Sequence, residues 1–86
     1  MTADPDRPFD AELDARDLLC PLPVLKARKR LLAMKPGQIL RVLTTDPVAV
    51  IDLPHFCAEA GHDYLGATQA GAVSVHHVRR AAFNDR

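Results

Sequence analysis

The chain has 86 residues, 48% of them hydrophobic and 26% charged, and its eleven basic side chains balance its eleven acidic ones. That length suits one small domain with a single core and leaves no room for a second domain or a large buried cleft, while the composition is that of a folded polypeptide. Zero net charge gives no reason to expect direct nucleic-acid binding, and no apolar run approaches the roughly 20 residues of a membrane span.

Met1 to Pro8 carries prolines and aspartates but no signal-peptide stretch, so it reads as a flexible tail of a cytoplasmic protein. Phe9 to Ala15 alternates apolar and polar residues, which predicts a strand with Phe9, Ala11, Leu13 and Ala15 facing inward. Leu18-Leu19-Cys20-Pro21-Leu22-Pro23 follows. Proline is tolerated in the first turn of a helix, so the spacing predicts a helix with Cys20 at the N-cap, Pro21 at the first position and Pro23 still within that turn. Unpaired N–H groups and the positive end of the helix dipole favour a thiolate there. Cys20 is thus the candidate nucleophile, with a lowered pKa, and the two prolines are its structural supports.

Along this helix Leu22, Val24, Leu25, Leu31, Leu32 and Met34 recur at helical spacing, which predicts an amphipathic helix whose outer face is basic through Lys26, Lys29, Arg30 and Lys35. Pro36-Gly37 is its stop signal. Gln38 to Thr44 reads as a central strand parallel to the first. Thr45-Asp46-Pro47 repeats the helix-start pattern, with Asp46 or Thr45 as a cap. Pro54 interrupts the second helix, which predicts a short turn from Val48 to Asp52 and a separate segment from Leu53 to Gly61. His62 to Thr68 and Ala72 to Arg79 form an antiparallel hairpin around Gln69-Ala70-Gly71. Val73 and Val75 share a face that Val78 does not, so either a bulge near His76-His77 or an exposed valine is expected. Ala81 to Arg86 reads as frayed.

Leu13-Asp14, Leu18 with Cys20-Pro21-Leu22-Pro23, Gly37, Thr45-Asp46-Pro47, Phe56-Cys57, Gly61-His62 and Val78-Arg79-Arg80 together resemble the TusA-like, or SirA-like, family of small sulfur carriers. The resemblance covers residues 9–80, taken as one domain between tails at 1–8 and 81–86. It implies an α/β (α+β) two-layer sandwich, β-α-β-α-β-β, with two helices on one face of a four-stranded mixed sheet. It further implies that Cys20 accepts sulfane sulfur as a persulfide and passes it on, in tRNA thiolation, molybdenum-cofactor supply or sulfur-compound metabolism. The implied partners are a sulfur-donor protein of the cysteine desulfurase or rhodanese type and a sulfur-acceptor protein, served by a monomer without a cofactor. The family usually carries glycine where this chain has Asp17, a sign of positive φ; a carboxylate there would also oppose the helix-start field at Cys20.

Cys57 lies mid-helix and reads as a small buried hydrophobe rather than a second sulfur site. His55, His62, His76 and His77 form no HxxxH or HxH pair, and His76 and His77 point to opposite faces of a strand, so no metal site is expected. His62 reads as a turn or packing residue. The basic face of the first helix is a solvated surface or a docking surface for an acidic partner or RNA, with Lys26, Lys29 and Arg30 beside Cys20 as its chief residues. The alternative to a sulfurtransferase is a regulatory or protein-interaction module in which Cys20 merely caps a helix.

Overall fold

The structure, a computed structural model, describes residues 7–81; the flexible tail expected over residues 1–6 and the frayed end expected over residues 82–86 lie outside it. The elements run β1 (Ala11–Ala15), α1 (Leu22–Leu32), β2 (Ile39–Thr44), α2 (Ala49–Ala60), β3 (Asp63–Ala70) and β4 (Val73–Arg79). The strands form one sheet in the order β1-β2-β4-β3, with β1 parallel to β2 and the other neighbours antiparallel. This is the element order read from the residues and the two-layer α+β architecture that the family resemblance implies.

Period-two burial in β2 decides which face the helices cover. Leu40, Val42 and Thr44 are buried while Ile39, Arg41 and Leu43 are half-buried. Across the register Leu40 lies opposite Val78, and Val42 opposite His76. Ala27 and Leu31 of α1 and Ala49, Leu53 and Cys57 of α2 close over that face to form the core, with Ala15 joining from β1. Each fully buried leucine contributes roughly 1.5–3 kcal/mol of apolar burial.

The structure corrects the buried face expected for α1. The buried stripe is Pro23, Ala27 and Leu31, spaced by four, whereas Leu22, Leu25 and Leu32 are 44%, 52% and 54% exposed. The outer face is therefore mixed apolar and basic. The small side chain of Ala27 brings the helix close to the sheet and leaves no room beneath it for the bulkier set. The helix also ends at Leu32, ahead of Pro36-Gly37. Ala33 and Met34 tighten the last turn by donating to the Arg30 and Leu31 carbonyls. Buried Arg80 donates from Nε to the Leu31 carbonyl at 2.6 Å, placing a cation at the negative helix end.

Pro54 does not divide α2, which is one helix. Proline there forfeits a single i→i−4 bond. The continuous stripe Ala49, Leu53 and Cys57 packed on the sheet outweighs that loss. Gly61, at φ 84°, ends the helix as expected, its N–H donating to the Cys57 carbonyl.

The remaining differences lie in the hairpin and at the ends. The turn is Gly71-Ala72 rather than 69–71, because β3 continues to Ala70, which pairs with Val73. No bulge interrupts β4. The register shift falls on β3 between Tyr64 and Gly66, and residues 74–78 are all buried. Val75 and His77 use the face away from the helices, where Phe9 packs with its ring centroid 6.5 Å from that of His77 and 5.1 Å from the Arg41 guanidinium carbon. Phe9, 41% exposed, thus does not face the core: the bend at Asp10 breaks the alternation before β1. Ala81 is buried rather than frayed, and its N–H donates to His62 Nδ1 at 2.9 Å. His62, whose ring also meets Phe56, is the packing residue expected.

Candidate functional site

Parallel pairing of β1 and β2, with Ala15 opposite Thr44, brings the loops that follow the two strands together at one edge of the sheet. The first loop carries Asp17 and Cys20, the second Thr45 and Asp46. Two hydrogen bonds tie the loops together, and a third braces the second loop itself. The Asp17 N–H donates to Thr45 Oγ1 at 2.9 Å, and the Cys20 N–H donates to Asp46 Oδ2 at 2.7 Å. The other Asp46 oxygen accepts from the Val48 N–H at 3.1 Å. The cap position of α2 belongs to Val48, with no side-chain cap hydrogen bond, and not to Asp46 or Thr45, because the chain first makes a turn at Pro47-Val48. Buried Asp46 instead fastens the Cys20 backbone to that turn.

The cap position of α1 belongs to Pro21, not Cys20; the Cys20–Pro21 bond is cis, Leu22 begins the helix and Pro23 is buried beneath it. No side chain caps α1. Cys20 sits one residue outside, exposed, and its Sγ donates to Asp52 Oδ2 at 3.1 Å. Asp52 comes from the first turn of α2. The hydrogen bond to Asp52, partial desolvation, and the charges of Asp52 and Asp46 push the Cys20 thiol up, contrary to the lowering expected from a helix start. Two nearby carboxylates outweigh a dipole whose first N–H groups belong to residues beyond the cysteine.

Asp17 has φ 66°, the left-handed conformation that glycine at this position suggests. The residue shapes the loop. Asp17 is not among the groups that shift the thiol, so the carboxylates that raise Cys20 are those of α2 and the turn before it. Arg16 is occupied by Asp14, with Nε to Oδ1 at 2.9 Å.

Lys26, Lys29 and Arg30 line a groove with Leu13 and Ala33, between α1 and β1. At 1.5 Å rise per residue, Lys29 and Arg30 stand roughly 10–12 Å along the helix axis from Leu22, so they flank the approach to Cys20 without forming its rim. The rim is apolar instead, with Leu19 68% and Ile51 72% exposed on the segments that carry Cys20 and Asp52. A second groove lies between the start of α2 and the β-hairpin, lined by Thr45, Pro47, Val50, Ile51, Gln69, Ala72 and Ser74.

Cys57 is the opposite of Cys20. It is 1% exposed, and burial, with a lesser contribution from Asp63, pushes its thiol up to about 12. Asp52 is the site residue that sequence reasoning missed. Its signal was available: an acidic residue in the first turn of the helix that follows the strand paired in parallel with β1.

The family model described as sulfurtransferase TusA matches residues 11–80. The chain belongs to the TusA family. Among its TusA relatives, the sulfur carrier protein TusA of Allochromatium vinosum is 46% identical over 63 residues, covering 73% of this chain and 83% of that protein. The sulfur carrier protein TusA of Pseudomonas entomophila is 37% identical over 73 residues, covering 85% and 91%. A crystal structure of a SirA-like protein from Desulfitobacterium hafniense superposes with a TM-score of 0.70 over 84% of this chain and 99% of that one, at 23% identity, and so shares the TusA fold. Family membership makes this protein a sulfur carrier. No helix among its described residues is long and apolar enough to cross a membrane.

Proposed function

We propose that Cys20 is the residue that carries the sulfur. The observation that supports this reading most directly is the contrast between the two thiols: Cys20 is exposed at the edge where two loops converge, and Cys57 is sealed in the core. In the loading step the Cys20 thiolate attacks the outer sulfur of a donor persulfide. The donor's S–S bond breaks, a new S–S bond forms on Cys20, and the donor cysteine leaves as a thiolate that takes up the proton Cys20 released. Delivery is the same exchange run toward an acceptor. The protein then acts as a monomeric relay whose cysteine is regenerated in each cycle, between a donor of the cysteine desulfurase or rhodanese type and an acceptor protein.

Exposed Leu19, Leu22 and Ile51 supply an apolar surface around the sulfur, and Lys26, Lys29 and Arg30 supply a charged flank that suits an acidic partner. The interaction-module alternative loses its premise, because Cys20 does not occupy the cap position of α1. Intact-mass measurement after incubation with a persulfide-loaded cysteine desulfurase tests the assignment. Wild type and Cys57→Ala gain the mass of one sulfur atom, and Cys20→Ser does not. Uptake that survives Cys20→Ser would sink it.

A further inference from the structure

Asp52 has no cationic partner among the described residues, and the group it meets is the Cys20 thiol. Among the described residues neither Asp52 nor Asp46 is ion-paired with a lysine, arginine or histidine, whereas Asp14, Glu12, Glu59 and Asp63 all are. A carboxylate placed against a nucleophile slows the nucleophile's formation, so its presence beside Cys20 needs a reason in another step of the cycle.

A persulfide is a stronger acid than the thiol from which it is made, so at neutral pH an unassisted persulfide is largely the anion R–S–S⁻. Its outer sulfur is then itself a nucleophile and repels the acceptor that must attack it. The protonated form R–S–SH is the one that gives sulfur away. We propose that Asp52 accepts the S–H hydrogen of a persulfide on Cys20 and so keeps the outer sulfur in the form that an acceptor can take. This rests on Cys20 being the carrier residue.

The geometry supports it. Oδ2 already lies 3.1 Å from Sγ as acceptor of the thiol hydrogen. An S–S bond of about 2.05 Å sets the outer sulfur beyond Sγ, and rotation about Cβ–Sγ of the exposed cysteine turns it alongside the same carboxylate. The charged groups that face the sulfur are Asp52 and, with a smaller effect, Asp46. The Asp46 oxygens are already engaged by the Cys20 and Val48 N–H groups, which leaves Asp52 as the acceptor free to follow the sulfur. On the other side α1 brings no acidic residue in its first turn, Asp17 does not contribute, and Arg16 is held by Asp14. Asp52 thus trades slower loading for readier delivery.

The test uses a neutral, water-soluble phosphine as the acceptor, so that removal of a charge does not alter its approach. Its lone pair attacks the outer sulfur, the S–S bond breaks, and Cys20–S–SH and PR₃ become Cys20–SH and S=PR₃, the phosphine being oxidised and the sulfane sulfur reduced. Wild type, Asp52→Asn and Asp52→Glu are loaded with inorganic polysulfide, desalted, and checked by intact mass. Desulfuration rates are then followed across pH. Asp52→Asn should be slower than wild type near neutral pH by roughly tenfold, the size of one charge-assisted hydrogen bond. The ratio should return towards one at low pH, where both persulfides are protonated, and Asp52→Glu should recover part of the rate. Loss of a merely structural role would lower the rate equally at every pH. Failure of wild type to load on Cys20 removes the carrier assignment and this proposal together; normal loading with a pH-independent ratio, or with a faster Asn variant, overturns this proposal alone.

Discussion

The Cys20 thiol donates to the Asp52 carboxylate across 3.1 Å, from a loop after the first strand to the first turn of the second helix. Thirty-two positions apart in sequence, the two meet because β1 and β2 run parallel in register. A carboxylate in that place favours the thiol, so Asp52→Asn should lower the midpoint of the pH–alkylation curve of Cys20 and speed its reaction with iodoacetamide near neutral pH. Rates measured on both proteins across pH check this. A midpoint that stays in place would separate the hydrogen bond from the thiol's acidity.

At Asp17 the prediction concerns stability. The residue pays an αL penalty that glycine does not, which implies that Asp17→Gly stabilises the fold by up to about 1 kcal/mol while leaving the Cys20 alkylation curve where it was. Asp17→Val, β-branched at positive φ, should destabilise it by about 1–2 kcal/mol. Urea unfolding of the two variants gives the comparison.

Lys29 and Arg30 lie on the flank of the site, too far along α1 to touch the sulfur. Reversing both charges should slow sulfur transfer from a protein donor, more so at low salt, and leave iodoacetamide reaction unchanged. Equal losses in both assays would mean that these residues support the fold instead.

Buried His76 sits between Thr44 Oγ1 at 2.9 Å and the Tyr64 hydroxyl at 2.8 Å. Burial, with His77 adding to it, pulls its pKa down from 6.5 to about 4. The unfolded chain therefore binds this proton first, so stability is fully present above pH 6.5 and is lost as pH falls towards 4. The loss from this group is about 3 kcal/mol. Denaturant unfolding at several pH values should show it, with a shallower slope in His76→Gln.

Cys57 offers a clock for opening of the core. Alkylation of native protein should modify Cys20 within minutes and Cys57 only on unfolding, since its thiol is both inaccessible and held up to about 12. Mass analysis with and without urea reads the two sites separately. A Cys57→Ser variant would leave a buried hydroxyl at a cost of about 1–3 kcal/mol, so Cys57→Ala is the safer control.

The sequence by itself determined the order of elements, the parallel start, the hairpin at the end and which cysteine is exposed and which is buried. Those features rest on local signals: period-two runs, glycine and proline punctuation, and a Cys-Pro-Leu-Pro segment that opens a helix. The positive φ at Asp17 was legible for the same reason, because backbone conformation is a local property. What tertiary structure decided were the matters of phase and neighbourhood. Leucines abound around α1, and only docking against the sheet selected the Pro23, Ala27 and Leu31 stripe over Leu22, Leu25 and Leu32. Packing of Ala49, Leu53 and Cys57 likewise carried α2 through Pro54. The acidity of Cys20 was the most consequential of these. A helix start predicts a thiolate from one residue's own surroundings, but the charges that govern the sulfur come from Asp52 and Asp46, brought there by strand pairing across some thirty residues. Electrostatic effects fall with distance through space and take no account of separation along the chain, so no local pattern could report their sign.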